Sequence, residues 1–245
     1  MKKITSKRKS AFSLIELSIV LIIIGLLIAG ITGGASLIKS SELRAVMGEA
    51  RGYAVAVNAF YTQFNALPGD YSTNLGSNYV GDNDAKIEFC TTSCISGSAS
   101  ALIGSEGAIA WQHLKFAGAI DAAPTATGGA TVAQNVVTHY PASKIKAAGW
   151  GFDYNSASLQ NVVVLTGSTT VAGTVDANSL VNGTAMSTGA ILPTDALSID
   201  AKIDDGIANT GKVRGVLAGC FSTTAYTVAT TTKACAISYQ IDVNS

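Results

Sequence analysis

One carboxylate, Glu16, stands near the start of the longest apolar stretch of the chain, and it is the only charged side chain between Phe12 and Ile31. That stretch is about 20 residues long, enough to cross a bilayer as a helix. A carboxylate in hydrocarbon costs a few kcal/mol or more, so it needs a partner. The run contains no Lys, Arg or His. Cutting the peptide bond between Ala11 and Phe12 would make one, because the new amino group of Phe12 is a cation within a helical turn of Glu16, in the same chain or in a neighbour. Lys2, Lys3, Lys7, Arg8 and Lys9 precede the run without an acid among them. This flank places the N-terminus in the cytoplasm and the rest of the chain outside it.

A short basic leader, a small residue, then Phe12-Ser13-Leu14-Ile15-Glu16-Leu17 and a long aliphatic helix resemble the signal of type IV prepilins and type II secretion pseudopilins. The resemblance implies a cut before Phe12 by a prepilin peptidase that also methylates the new N-terminus. It further implies that Glu16 pairs with the amine of a neighbouring subunit as the chain polymerises with itself and other pilins, driven by an inner-membrane assembly platform and its ATPase. The family usually has Gly before the cut, where this chain has the mildest replacement, Ala11. An ordinary secretory signal cut near Ala29 to Ile31, or a plain signal anchor, would also place basic residues before an apolar run. The first needs its cut after the apolar run, and the second leaves Glu16 without a role.

Further chemistry lies beyond the run. Cys90, Cys94, Cys220 and Cys235 all fall on the extracytoplasmic side, where an even count favours disulfides. Four cysteines allow three connectivities, of which Cys90 with Cys94 and Cys220 with Cys235 is the expectation. The second pair would close a loop worth about 3 kcal/mol on the chain-entropy model, and it resembles the disulfide-bounded C-terminal loop of many pilins. Asp70, Asp82, Asp84 and Glu88 lie close together, and Asp82-Asn83-Asp84 followed by Glu88 has oxygen ligands at near-alternate spacing without the full calcium-loop pattern, so the segment reads as a solvated turn. In pseudopilins, acidic loops near the C-terminal sheet bind calcium, and by that resemblance Asp200, Asp204 and Asp205 are the candidate ligands. No cofactor besides calcium is expected. The two histidines, His113 and His139, do not make a zinc site with the cysteines, and no nucleophile elbow, metalloprotease helix or phosphate loop occurs. The expected role is therefore structural and not enzymatic.

The elements that would carry these residues follow from periodicity. Leu43, Val46, Met47, Ala50, Tyr53, Ala54, Val57, Phe60, Tyr61 and Phe64 recur every three or four residues and mark a buried stripe, with Glu42, Arg44, Glu49, Arg51 and Asn58 on the opposite side. One helix from Phe12 to about Phe64 is predicted, apolar all round in its first half and amphipathic in its second. Gly30, Gly33 and Gly34 lie between the halves, either loosening the helix or letting helices approach closely. Asn65-Ala66-Leu67-Pro68-Gly69-Asp70 stops it. A second helix opens at Ser105-Glu106 and ends at Gly118, with Trp111 as packing and His113 as a surface polar group. Strands are expected over Gly149 to Tyr154, Leu159 to Leu165, Lys212 to Ala218 and Ala234 to Val243, and a short helix from Asp195 to about Asp205 capped by Thr194.

The expected fold is α+β: a long N-terminal helix packed on an antiparallel sheet. The expected domains are a leader over 1–11, the long helix over 12–64 with its membrane and assembly part over 12–31, and a globular head over 65–245. Losing five of sixteen basic residues with the leader leaves eleven against sixteen acidic ones, a side-chain charge of −5. That balance gives no electrostatic reason to expect a nucleic-acid partner.

Overall fold

The computed structural model describes residues 13–73, 75, 80–88, 106–122, 141–155, 158–167, 189–217 and 219–241. Helix α1 runs over Leu14–Phe64 as one hydrogen-bonded element, through Gly30, Gly33 and Gly34. The chain divides into two compact units, Met1–Glu42 and Leu43–Ser245.

In the first unit the described part beyond Ser13 is helix alone, and its large aliphatic side chains are exposed, Leu14, Leu26 and Ile31 by 69% or more. An aliphatic surface of this kind is stable only in lipid or against other protein, since water penalises each exposed side chain by about 1.5–3 kcal/mol relative to burial.

The second unit holds the core. The second half of α1 contributes Leu43, Val46, Ala50, Val57 and Phe60 as buried side chains, with Met47, Tyr53, Tyr61 and Phe64 packed beside them. These are the residues of the predicted stripe, joined by Ala56. Helix α2, Glu106–Phe116, ends as predicted at Gly118, where φ is +69°. The Gly118 and Ala119 amides donate to the carbonyls of Lys115 and Leu114, the paired bonds of a glycine-terminated helix. Trp111 of α2 stands 4.2 Å, centroid to centroid, from Phe152, and Tyr53 of α1 meets Trp111 edge-on at 4.9 Å.

Strands β1 (Ala148–Asn155) and β2 (Gln160–Gly167) form an antiparallel hairpin, and their bounds match the predicted strands within two residues. Strand β3 (Val213–Gly215) is shorter than expected because the chain turns at Leu217, whose carbonyl accepts from the Cys220 amide. A two-residue pair, β4 (Phe221–Ser222) with β5 (Ala225–Tyr226), was not foreseen, since neither strand has room for a pattern. Strand β6 (Ile237–Gln240) lies between β2 and β3. The main sheet thus has four strands in the order β1-β2-β6-β3, all neighbours antiparallel.

Helix α3 spans Pro193–Ile203. The expectation that Thr194 caps it is corrected: Leu192 occupies the cap position without a side-chain bond, and Pro193 opens the first turn. Proline suits that position because its missing N–H would have had no helical partner and its φ is already helical. The fold is α+β, as the periodicity implied.

Candidate assembly helix and the acidic junction of the head

The start of α1 is built by two residues acting on each other. Ser13 stands just before the helix, and its carbonyl accepts the Leu17 amide at 3.2 Å. Its hydroxyl accepts the Ile15 amide at 3.4 Å, and its own amide donates to Glu16 Oε2 at 2.8 Å. This is a reciprocal cap, in which serine serves the first turn and the acid three residues on serves the serine. Glu16 thus accepts from a backbone N–H of its own chain, a neutral donor and not the cation expected of the Phe12 amine. The spacing Ser13-Leu14-Ile15-Glu16 is the signal that reveals such a cap in a sequence. Ala11 and Phe12, the residues of the expected cut, lie outside the described residues.

At the other end of α1 the chain turns through Asn65, with φ +51°, and Gly69, with φ +93°. A side chain on Gly69 would bring its Cβ to 2.5 Å from the carbonyl oxygen of Glu106, so the turn and the start of α2 touch backbone to backbone. The Gly69 amide donates to His113 Nδ1 at 3.0 Å, and the imidazole lies parallel to Phe60 at 5.8 Å. His113 is thus a fully buried link between α1, the turn and α2. The expectation of a surface polar group is corrected. A lone histidine on a short helix carries no mark of its partner, which here is 44 residues away.

The solvated turn expected of Asp70, Asp82, Asp84 and Glu88 holds at Asn83 and Asp84, which are exposed, and is corrected for Asp70. Asp70 is buried and accepts the amides of Asp84 at 2.8 Å and Ala85 at 3.0 Å. Glu106, buried in the first turn of α2, accepts the amides of Asp82 at 3.2 Å and Glu88 at 3.3 Å. The segment is folded over two buried carboxylates that use its backbone donors, and Asn161 of β2 clasps it by accepting from the Ile87 amide and donating to the Ala85 carbonyl. Asp70, Asp82 and Glu106 each bring one oxygen within 4.8 Å of the others. Burial, with the neighbouring negative charges, pushes the Asp70 carboxyl up to about 6, Glu88 to about 7 and Glu106 to about 8. Asp84 is at the rim and pairs with Lys86.

Glu49, placed by its pattern on the outer side of α1, is a further residue that periodicity misassigns. Its Oε2 accepts from Trp150 Nε1 at 3.0 Å and Ser143 Oγ at 2.7 Å, and both oxygens accept from the Lys144 amide. It ties α1 to the chain entering β1. Desolvation and the Glu49 charge together raise the nearby Tyr53 hydroxyl to about 12.

The three acids proposed from the sequence as calcium ligands do converge, with one oxygen of Asp200, Asp204 and Asp205 each inside a 4.8 Å group. The chain's own donors already hold them. Asp200 accepts from Tyr226 Oη at 2.8 Å and Gly206 N at 3.2 Å, Asp204 from the Lys212 amide, and Asp205 from Ile207 N at 2.8 Å and Thr210 Oγ1 at 2.6 Å. Burial raises the Asp200 carboxyl and the Tyr226 hydroxyl, while exposed Asp205 is held low by its bond from Thr210. These acids close the end of α3 onto the strands around it. Beside them, Cys220 and Cys235 form the expected disulfide, with Cα atoms 4.5 Å apart. The Cys90 and Cys94 pair lies outside the described residues.

Residues 6–32 match the family model of the prokaryotic N-terminal methylation motif. The chain therefore carries the N-terminal signal of the type IV pilins and pseudopilins, a family of structural subunits. No curated protein and no solved structure matches it.

Proposed function

We propose that this chain is a prepilin, cut between Ala11 and Phe12, methylated at the new N-terminus and polymerised through α1 into a type IV pilus or a related filament. The observation that carries the reading is the first unit. It is a helix long and apolar enough to cross a membrane, exposed on every side within its own chain, with the methylation motif over its start and one acid in its first turn.

Such a helix has two stable environments, lipid before assembly and other copies of itself after. Apolar packing alone sets no register along an aliphatic rod. A charge pair can, because it is favourable in a low-dielectric core only when both members meet, and Glu16 with the amine of Phe12 is that pair. Gly25, Gly30, Gly33 and Gly34 leave open space beside the helix, which close helix approach uses. The subunit waits in the inner membrane with its C-terminal head outside the cytoplasm. Its partners are the prepilin peptidase and methyltransferase, the assembly platform with its ATPase, and other pilin subunits. A surface fibre would serve adhesion, motility or DNA uptake. A type II secretion pseudopilin is the second reading, and an uncleaved membrane-anchored binding domain the third. No cofactor is required; calcium on Asp200, Asp204 and Asp205 is the one candidate, and a melting midpoint unmoved by chelation removes it.

The test is intact-mass and N-terminal peptide analysis of protein from membranes and from sheared surface material. A mature chain beginning at Phe12, present in the sheared fraction, is the expected result for a surface fibre. Confinement of that mature chain to the cell envelope favours the pseudopilin, and a chain still beginning at Met1 sinks both.

A further inference from the structure

Glu16 is engaged before any neighbour arrives. Its Oε2 accepts the Ser13 amide at 2.8 Å, and the Ser13 hydroxyl accepts the Ile15 amide at 3.4 Å. On the prepilin reading, cleavage puts the Phe12 amine one residue from Ser13. We propose that Ser13 is a positioning residue for assembly: its reciprocal cap aims the Glu16 carboxylate along the helix start, where the cation of an incoming subunit must find it.

The physical reason is entropic. A glutamate side chain loses rotamer freedom when it is fixed. The Ser13 bond fixes one oxygen in the unassembled subunit, leaving the second oxygen of the carboxylate for an ammonium group. A glutamate that is not held this way must be ordered at the moment of docking. Ser13 touches neither the peptidase bond nor the neighbouring amine in this scheme and acts only through Glu16.

The test uses full-length chains co-expressed with the wild-type copy, so that each variant's share of the filament is read by mass spectrometry against its share of cleaved subunit in the membrane. Ser13→Pro removes the amide donor, Ser13→Ala removes the hydroxyl alone, and Ser13→Thr keeps both. The share should fall about ten-fold for Ser13→Pro and about three-fold for Ser13→Ala, in line with the loss of a helix cap, and stay within about two-fold for Ser13→Thr. The decisive comparison repeats these changes beside Glu16→Ala, where a residue acting through Glu16 has nothing left to position. There Ser13→Pro and Ser13→Ala should change the share less than about two-fold. Equal losses in both backgrounds, or no loss with Glu16 present, overturn the proposal. If Ser13→Pro is not cleaved, the Ala and Thr variants decide it alone. Wild-type chain that is itself never cleaved refutes the prepilin reading, a different outcome from uniform behaviour of cleaved Ser13 variants.

Discussion

Glu49 shows how a single side chain can hold an element. Replacing it with alanine leaves the Trp150 indole N–H, the Ser143 hydroxyl and the Lys144 amide without their acceptor. Of these the Trp150 indole is the buried one, and an orphaned buried donor costs about 1–3 kcal/mol, so Glu49→Ala should destabilise the head by about 1–3 kcal/mol, read as a lower urea midpoint at unchanged slope. A second prediction at this scale concerns pH. Glu106 has a usual value of 4.5 and is raised to about 8 in the fold, mainly by burial; Asp70 and Glu88 are raised in the same direction. The folded head therefore binds more protons than the unfolded chain across that interval. Stability is fully present below the unfolded values and declines as pH rises towards 8, by an amount on the order of a few kcal/mol. Denaturant unfolding at pH 5 and pH 8 measures this, and Glu106→Gln, which cannot ionise, should shrink the difference, leaving the part due to Asp70 and Glu88. Equal stability at both pH values with the native chain would contradict the raised carboxyls.

At the scale of the element, the turn between α1 and α2 depends on backbone approach. Gly69 combines φ +93° with a neighbouring carbonyl 2.5 Å from where a Cβ would sit. Gly69→Ala adds strain of about 1–3 kcal/mol from the conformation and displaces the Glu106 carbonyl as well. The expected outcome is a melting midpoint lower by several degrees. The Gly69 amide proton, bonded to His113, should then exchange faster than in the native head. The stripe on α1 was readable from its spacing because burial of one helix face imposes a period of 3.6 on the sequence. The roles of Glu49 and His113 were not, since each is decided by a partner 44 or more residues away. Glu16 lies between these cases: its cap is local and legible as serine and glutamate three apart, yet its place in an apolar run draws attention to a missing cation.

For the whole molecule, two measurements separate the head from the helix. Cys220 and Cys235 join the end of the turn after β3 to the approach to β6, around the β4 and β5 pair. Replacing both with serine should lower head stability by about 3 kcal/mol through the freed loop, measured by thermal unfolding of the oxidised native protein and the variant. Glu16→Ala belongs to the other unit. It should leave membrane insertion, cleavage and head stability intact while reducing incorporation into filaments at least ten-fold, as loss of a desolvated charge partner does. Filaments of normal yield from this variant would remove Glu16 from assembly.

The N-terminal sequence alone determined the character of the first unit. A run of aliphatic residues with one acid and a basic flank has few physical solutions, because a membrane or a bundle must solvate it wherever the remaining chain goes. The same holds for the α+β class, which follows from helical and alternating periods that survive any arrangement of the elements. Tertiary structure decided the rest. It folded Asp70 and Glu106 under a segment that reads as a hydrated loop, buried His113 against Phe60, and turned Glu49 to the indole of Trp150. A polar side chain's surroundings are set by which distant donors reach it. Apart from the indole and hydroxyl on Glu49, those donors are backbone amides common to nearly every residue, so they leave no trace in the sequence.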